Sequence, residues 1–239
     1  MIGSRWLGVI LTLAGCSEAD IEQRFPLAGC SSLVFQGDII LNVIEHNAAQ
    51  LVARGSLQAM QSLQLDASDS ATRIAADTDA LHVDLMCPGT VGMQLIGNVA
   101  AIDQRLHPQY HKLALYGDAQ FQADRVSGDR LDLRGAGASA LSIDYLMADA
   151  AQVSASGTAR IAIGGEVQRL SVEASGSSAV DTLELTGQDV SVSLGGNSRT
   201  VLHASAHLTG TMKQNAKLVY GGTPDVGVTT QDTAEIEPH

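Results

Sequence analysis

Apolar and polar residues alternate in steps of two along most of this chain. Residues 33–44 read Leu-Val-Phe-Gln-Gly-Asp-Ile-Ile-Leu-Asn-Val-Ile, and shorter runs of the same kind start at Gln50, Leu63, Ala71 and Leu81. A period of two places one set of side chains on each face of a strand. Gly37, Gly55, residues 66–70 and residues 77–79 supply turn chemistry between the runs. No segment sustains a helical period of useful length. In the back half the alternation acquires a longer rhythm. Gly137, Gly157, Gly176 and Gly196 recur at steps of about twenty residues, each after short alternating text such as Leu170-Ser-Val-Glu or Val190-Ser-Val-Ser. Strand, small-residue turn and a fixed period of this length predict a β-solenoid.

The repeat explains its own residue choices. Stacked parallel coils lie about 4.8 Å apart, so equivalent residues sit above one another. Leu131 and Leu133, Leu170 and Val172, and Val190 and Val192 fit inward aliphatic stacks. Glycine serves the sharp turn where φ is positive. Ser156, Ser175, Asn197 and Asn215 are candidates for polar ladders between coils, because small neutral groups stack without repulsion. The segment around residues 88–109, with Pro88, Gly89 and Pro108, reads as a junction between an irregular front and a regular back that starts near Lys112 and runs to about Ile236.

The first residues read as an address. Arg5 and the amino terminus precede an apolar run, Trp6 to Leu13, that is too short to cross a bilayer. Leu13-Ala14-Gly15-Cys16 then resembles the lipobox of bacterial lipoproteins. That resemblance implies a signal peptide over 1–15, acylation at Cys16, a tether over 16–24, and a lipid bilayer as partner. Ser17 after the cysteine implies outer-membrane rather than inner-membrane sorting. A second Leu-Ala-Gly-Cys, at Leu27 to Cys30, follows charged residues and lacks the apolar run. Cys30 and Cys87 remain, and in an oxidising compartment they can form a disulfide or persist as two buried thiols.

Composition narrows the partners. The 239 residues carry a formal net charge of −12, a pI near 4.8, 24 glycines and only 3% aromatic residues. An acidic chain repels nucleic acid, which needs Lys and Arg to displace its counterions. The common catalytic signatures are absent: no Gly-x-Ser-x-Gly, no phosphate-binding loop and no His-Glu-x-x-His. His203 and His207 lie in strand text, where four residues span about 13 Å, too far for one metal ion. His107 and His111 lie in a proline-containing loop with no acidic or cysteine partner close in sequence, so no metal site and no cofactor is expected. Asp118, Asp124, Asp129 and Asp132, near Arg125, Arg130 and Arg134, are the one grouping suited to a polysaccharide-cleaving enzyme. Asp124 and Asp144 would stack on one face.

The alternating strand followed by Ser-Gly or Gly-Ser, as in Val172-Glu-Ala-Ser-Gly-Ser-Ser and Val192-Ser-Leu-Gly-Gly-Asn-Ser, resembles the putative autotransporter adhesin family with the head GIN domain. Residues 25–39 look like that family's opening strand pair, and the resemblance covers roughly 25–232. It departs from the family's Gly-Ser-Gly-Asp unit, since Asp is missing after each of the four glycines. The resemblance implies a right-handed parallel β-helix over 25–236 and supplies no catalytic residues. The expectation is an envelope lipoprotein, periplasmic or surface-exposed, that presents a β-helical surface to glycan or another envelope protein without catalysis. The competing expectation is an enzyme acting through the acidic residues of 118–134.

Overall fold

The computed structural model describes residues 20–68, 71–106 and 108–239. The chain forms β1 (Ile21–Pro26), β2 (Leu33–Ile44), β3 (Gln50–Gly55), a short helix α1 (Leu57–Ser62), β4 (Gln64–Ala67) and β5 (Thr72–Met86). There follow β6 (Thr90–Asp103), β7 (Gln109–Gly117), β8 (Gln120–Gly137), β9 (Ala140–Ala155), β10 (Arg160–Ala174), β11 (Ala179–Leu194) and β12 (Arg199–Met212). The last coils are β13 (Lys217–Gly221), β14 (Asp225–Thr230) and β15 (Glu235–Pro238). The strands stack as a β-solenoid of about 7 turns with coils of ~20 residues.

Each long strand bends twice, so a coil has three faces. In β10 these are residues 160–163, 165–167 and 169–174, with buried Ile161, Ile163, Val167, Leu170, Val172 and Ala174 pointing inward. Parallel register carries each inward residue onto its equivalent in the next coil. One such stack runs Leu33, Met93, Leu113, Leu133, Val153, Val172, Val192. All seven are buried. Burying a Val or Leu side chain is worth about 1.5–3 kcal/mol, so these columns supply the main cohesion between coils.

The turn after the third face is set by glycine. Gly97, Gly117, Gly137, Gly157, Gly176 and Gly196 all have φ between +70° and +89°. Each approaches the glycine before it. A Cβ on Gly157 would lie 2.9 Å from the Gly137 carbonyl oxygen. The turns are tied by Thr158 N–H to Gly137 O, Ser177 N–H to Gly157 O and Asn197 N–H to Gly176 O, at 2.7–2.8 Å. The column ends on Gln214 (φ 63°) and Asp232 (φ 58°), whose side-chain oxygens accept from Gly196 N–H at 2.6 Å and Gln214 N–H at 3.0 Å. Of the expected polar ladders, Asn215 Nδ2 donates to Asn197 Oδ1 at 3.0 Å. Ser156 and Ser175 are linked only through backbone, Ser156 N–H to Gly135 O and Ser175 N–H to Ala155 O.

Three expectations need correction. Residues 88–109 do not interrupt the stack: β6 supplies strand for two faces, paired with β2 on one side and with β7 and β8 on the other, Gly97 belongs to the glycine column, and the described residues between β6 and β7 form no strand. The tether does not extend to residue 24, because β1 begins at Ile21 and pairs antiparallel with β3. Its charges belong to this antiparallel pair. Glu22 bonds Arg24 and Arg54 at 2.9 Å, and Arg54 also bonds Asp84. These arginines, Arg54 foremost, hold the Glu22 carboxyl below its ordinary range. The opening strands β1 and β2 are not neighbours either. The order is β1-β3-β5-β2-β6, so β1 lies at the outer edge, β2 lies further in, β3 returns to pair with β1, and β5 fills the place between β3 and β2.

That outward part is a cap. β3 and β4 pair antiparallel with β5, and α1 lays Ala59 and Met60 into the end of the core. Ser56 caps the helix, its Oγ accepting from Ala59 N–H at 3.1 Å. Antiparallel closure covers strand edges that would otherwise be open to pairing. A disulfide between Cys30 and Cys87 spans 57 residues and joins the segment before β2 to the end of β5.

Candidate functional site

The exposed residues fall into rows that run along the solenoid, because each outward position repeats coil after coil. Where the second face meets the third, the strands turn a corner with two successive outward residues. Asp129, Asp149, Gln168 and Gln188 occupy equivalent corner positions, fixed by the flanking pairs Gly128–Ala148, Val167–Ala148, Val167–Gly187 and Arg169–Asp189. Together with Glu166 and Gln109 they line an open groove of about 940 Å³ that reaches from β6 to β12. Its floor is small: Gly128, Ala148 and Val167. Carboxylates and carboxamides in a row can accept from and donate to a chain of hydroxyl groups, and the small floor leaves room for a sugar ring to lie between them.

The carboxylates proposed from sequence do not converge. Asp118 stands in the glycine turn, Asp124 at the corner between the first and second faces, Asp129 at the next corner, and Asp132 on the third face. Asp132 is tied to Arg134 at 2.9 Å. That ion pair holds the Arg134 guanidinium above its ordinary pKa, with the hydrogen bond the largest cause. Arg125 lies over the Tyr145 ring, with its Cζ 5.5 Å from the ring centroid. Asp124 and Asp144 share a corner row, as their spacing suggested.

The remaining candidates divide the same way. Cys16 lies outside the described residues, as does His107. His111 borders the groove. His203 pairs in register with Thr186 on the second face, while His207 bonds Asp189 at 2.7 Å beyond the corner. Among the described residues no three His, Cys, Asp or Glu side chains gather to hold a metal ion.

A buried charged cluster lies behind the groove and serves the fold. Asp103 and Arg105 are joined at 2.7 Å, and Tyr110 donates its hydroxyl proton to Asp103 Oδ2 at 2.7 Å. Arg105 Nη1 donates to the Gly89 carbonyl at 3.3 Å. Tyr110 packs edge-on against Phe121. Burial, then the Asp103 charge, pushes the Tyr110 hydroxyl well above its ordinary pKa. Burial, the largest single influence, opposes the Arg105 charge, but the hydrogen bond and charge of Asp103 together with Tyr110 outweigh it and raise the pKa. The cluster fixes the crossing from β6 to β7.

Sequence reading missed Asp149, Glu166, Gln168 and Gln188. A signal was present. Asp129, Asp149, Gln168 and Gln188 each stand eight residues before a glycine of the column. Counting back from the turn, rather than searching for clusters in sequence, finds the row.

Stacked parallel coils with a polar groove along one corner define a β-solenoid. The chain belongs to the family described as putative auto-transporter adhesin, head GIN domain, whose model matches residues 31–224. Solved structures share the fold. A putative adhesin from Parabacteroides merdae is 14% identical, with a TM-score of 0.83 over 92% of this chain and 96% of that one. A putative lipid binding protein from Parabacteroides distasonis is 12% identical, with a TM-score of 0.85 over 92% and 97%. A putative adhesin from Parabacteroides distasonis is 17% identical, with a TM-score of 0.80 over 91% and 97%. No curated protein matches the chain.

Proposed function

We propose that this chain is an envelope lipoprotein, anchored through acylated Cys16, that binds glycan along the corner groove without cleaving it. The observation that carries the reading is the row Asp129, Asp149, Gln168, Gln188 above a small-residue floor. Its repeat follows the coil spacing of about 4.8 Å, which offers hydrogen-bonding groups at regular intervals to a polymer lying along the solenoid. Family membership supports an adhesion role at the cell surface. The lipobox resemblance of residues 13–16 supports the anchor. The enzyme reading loses its basis where Asp124, Asp129 and Asp132 occupy different parts of the coil, because glycoside hydrolysis needs two carboxyl groups flanking one bond.

The test is a binding screen with residues 20–239 against purified envelope glycans, with product release followed by mass spectrometry. Saturable binding, weakened at least tenfold by Asp149→Ala with Gln168→Ala, is the expected result. Release of sugar fragments, or binding indifferent to both substitutions, overturns the proposal. Labelling of Cys16 by a fatty-acid analogue in cells, abolished by Cys16→Ser, tests the anchor separately.

A further inference from the structure

The first face carries a second groove, different in chemistry from the corner and separate from it. It has a volume of about 550 Å³ and is predominantly apolar. Its two outward rows follow from the register. One runs Ile40, Ala100, Gln120, Ala140, Arg160, Ala179, Arg199. The other runs Ile102, Gln122, Ser142, Ala162, Asp181, Val201. Small residues at Ala140, Ala162 and Ala179 leave a furrow between larger neighbours. At one end of it Ile102 is 46% exposed and Ile40 is 36% exposed. At the other end stand Arg160 and Arg199, both exposed and neither in an ion pair among the described residues. Asp181 lies in the adjoining row, but its Oδ1 accepts from Leu183 N–H at 3.2 Å and contacts neither arginine. Lys217, next in the arginine row, is held by Glu235 at 2.7 Å.

We propose that this furrow binds a long-chain fatty carboxylate, with the head group between Arg160 and Arg199 and the tail directed toward Ile102 and Ile40. Charge complementarity selects the head. Two unpaired guanidiniums stand two coils apart, about 10 Å at a strand spacing of about 4.8 Å, and Ala179 between them leaves the space open. A guanidinium is the side chain best suited to grip a carboxylate by two bonds. Geometry selects the tail. From Arg160 to Ile102 the groove crosses three strand spacings, about 14 Å, the reach of a dodecanoyl chain. The whole protein argues against a bilayer as the occupant. A net charge of −12 repels an anionic membrane surface, and two arginines on one face do not offset it.

The experiment is calorimetric titration of residues 20–239 with dodecanoate below its micelle concentration, alongside dodecanol, dodecyltrimethylammonium and phosphatidylglycerol vesicles. Expected are one saturable dodecanoate site, at least tenfold weaker dodecanol binding and no binding of the cationic amphiphile. Arg160→Ala with Arg199→Ala should weaken dodecanoate at least tenfold. Ala140→Glu should block it by placing a charge in the furrow. Both variants change exposed or half-exposed positions, and circular dichroism checks that they fold. Absence of saturable dodecanoate binding overturns the proposal. So does equal binding of the cationic amphiphile, indifference to both variants, or binding of vesicles alone.

Discussion

At the scale of single residues, the glycine column is where sequence and structure are most tightly linked. Gly157 has φ +71°, and a Cβ there would meet the Gly137 oxygen at 2.9 Å and nitrogen at 3.1 Å. Gly157→Ala therefore combines left-handed strain of about 1–2 kcal/mol with a contact that pushes two coils apart. A loss of at least 2 kcal/mol in denaturant unfolding is expected. Gln214→Gly, three coils further on, should be nearly neutral: relief of strain is offset by loss of the bond to Gly196 N–H. Equal effects at the two sites would show that inter-coil contact is not what the column supplies. Tyr110 gives a pH signature. Its hydroxyl titrates near 10 when unfolded and well above that when folded. The contribution is complete below pH 10 and is lost as pH rises above it, since only the unfolded chain then releases the proton. Tyr110→Phe should destabilise at pH 8 by about 1–3 kcal/mol, the worth of a hydrogen bond to a charged group. That cost should shrink between pH 10 and 11. A cost constant across this range would mean that the hydroxyl does not carry it.

At the scale of elements, the back half was legible and the front was not, for a physical reason. From β8 to β12 every coil pairs parallel with the next one in sequence, so register repeats and the glycine spacing announces it. In the front, β2 lies between β5 and β6, while β1, β3 and β4 run antiparallel in the cap. Neighbours in space there are distant in sequence, and no period results. The groove rows were hidden by the same geometry. Asp129 and Asp149 are neighbours because of stacking, whereas Asp129 and Asp132, close in the chain, lie on different faces. The cap also carries the crosslink. A disulfide closing a loop of 57 residues stabilises by about 4 kcal/mol in the loop-entropy account. Cys30→Ala with Cys87→Ala should therefore lower stability by about 2–5 kcal/mol and raise hydrogen exchange in β2, β3 and β5 first. Unchanged exchange in those strands would mean that the packing of α1 and β4 holds the cap without it.

At the scale of the whole molecule, a solenoid is a one-dimensional stack, and its stability is a sum of coils and the contacts between neighbours. The two ends of the described chain differ. The front is closed by a helix, antiparallel strands and a crosslink over a buried core. At the back, β14 and β15 are mostly exposed, with Val228 and Ile236 only half-buried where earlier coils bury their equivalents. Every central coil has a neighbour on both sides, whereas β15 pairs with β13 alone and β14 with β12 alone. Local opening should then proceed inward from β15, since opening free energy follows buried contacts. Hydrogen–deuterium exchange followed by mass spectrometry should show protection that falls steadily from β9 and β10 through β12 to β13–β15. The groove walls between β8 and β11 should be among the most protected segments. Uniform protection to β15 would mean that the stack opens as one cooperative unit and that its coils are more strongly coupled than nearest-neighbour packing provides. The graded outcome would place both candidate grooves on the rigid part of the rod, where side-chain spacing is fixed before any ligand arrives. Pre-set spacing lowers the ordering cost of binding, which is how a shallow surface built from small residues can hold a ligand.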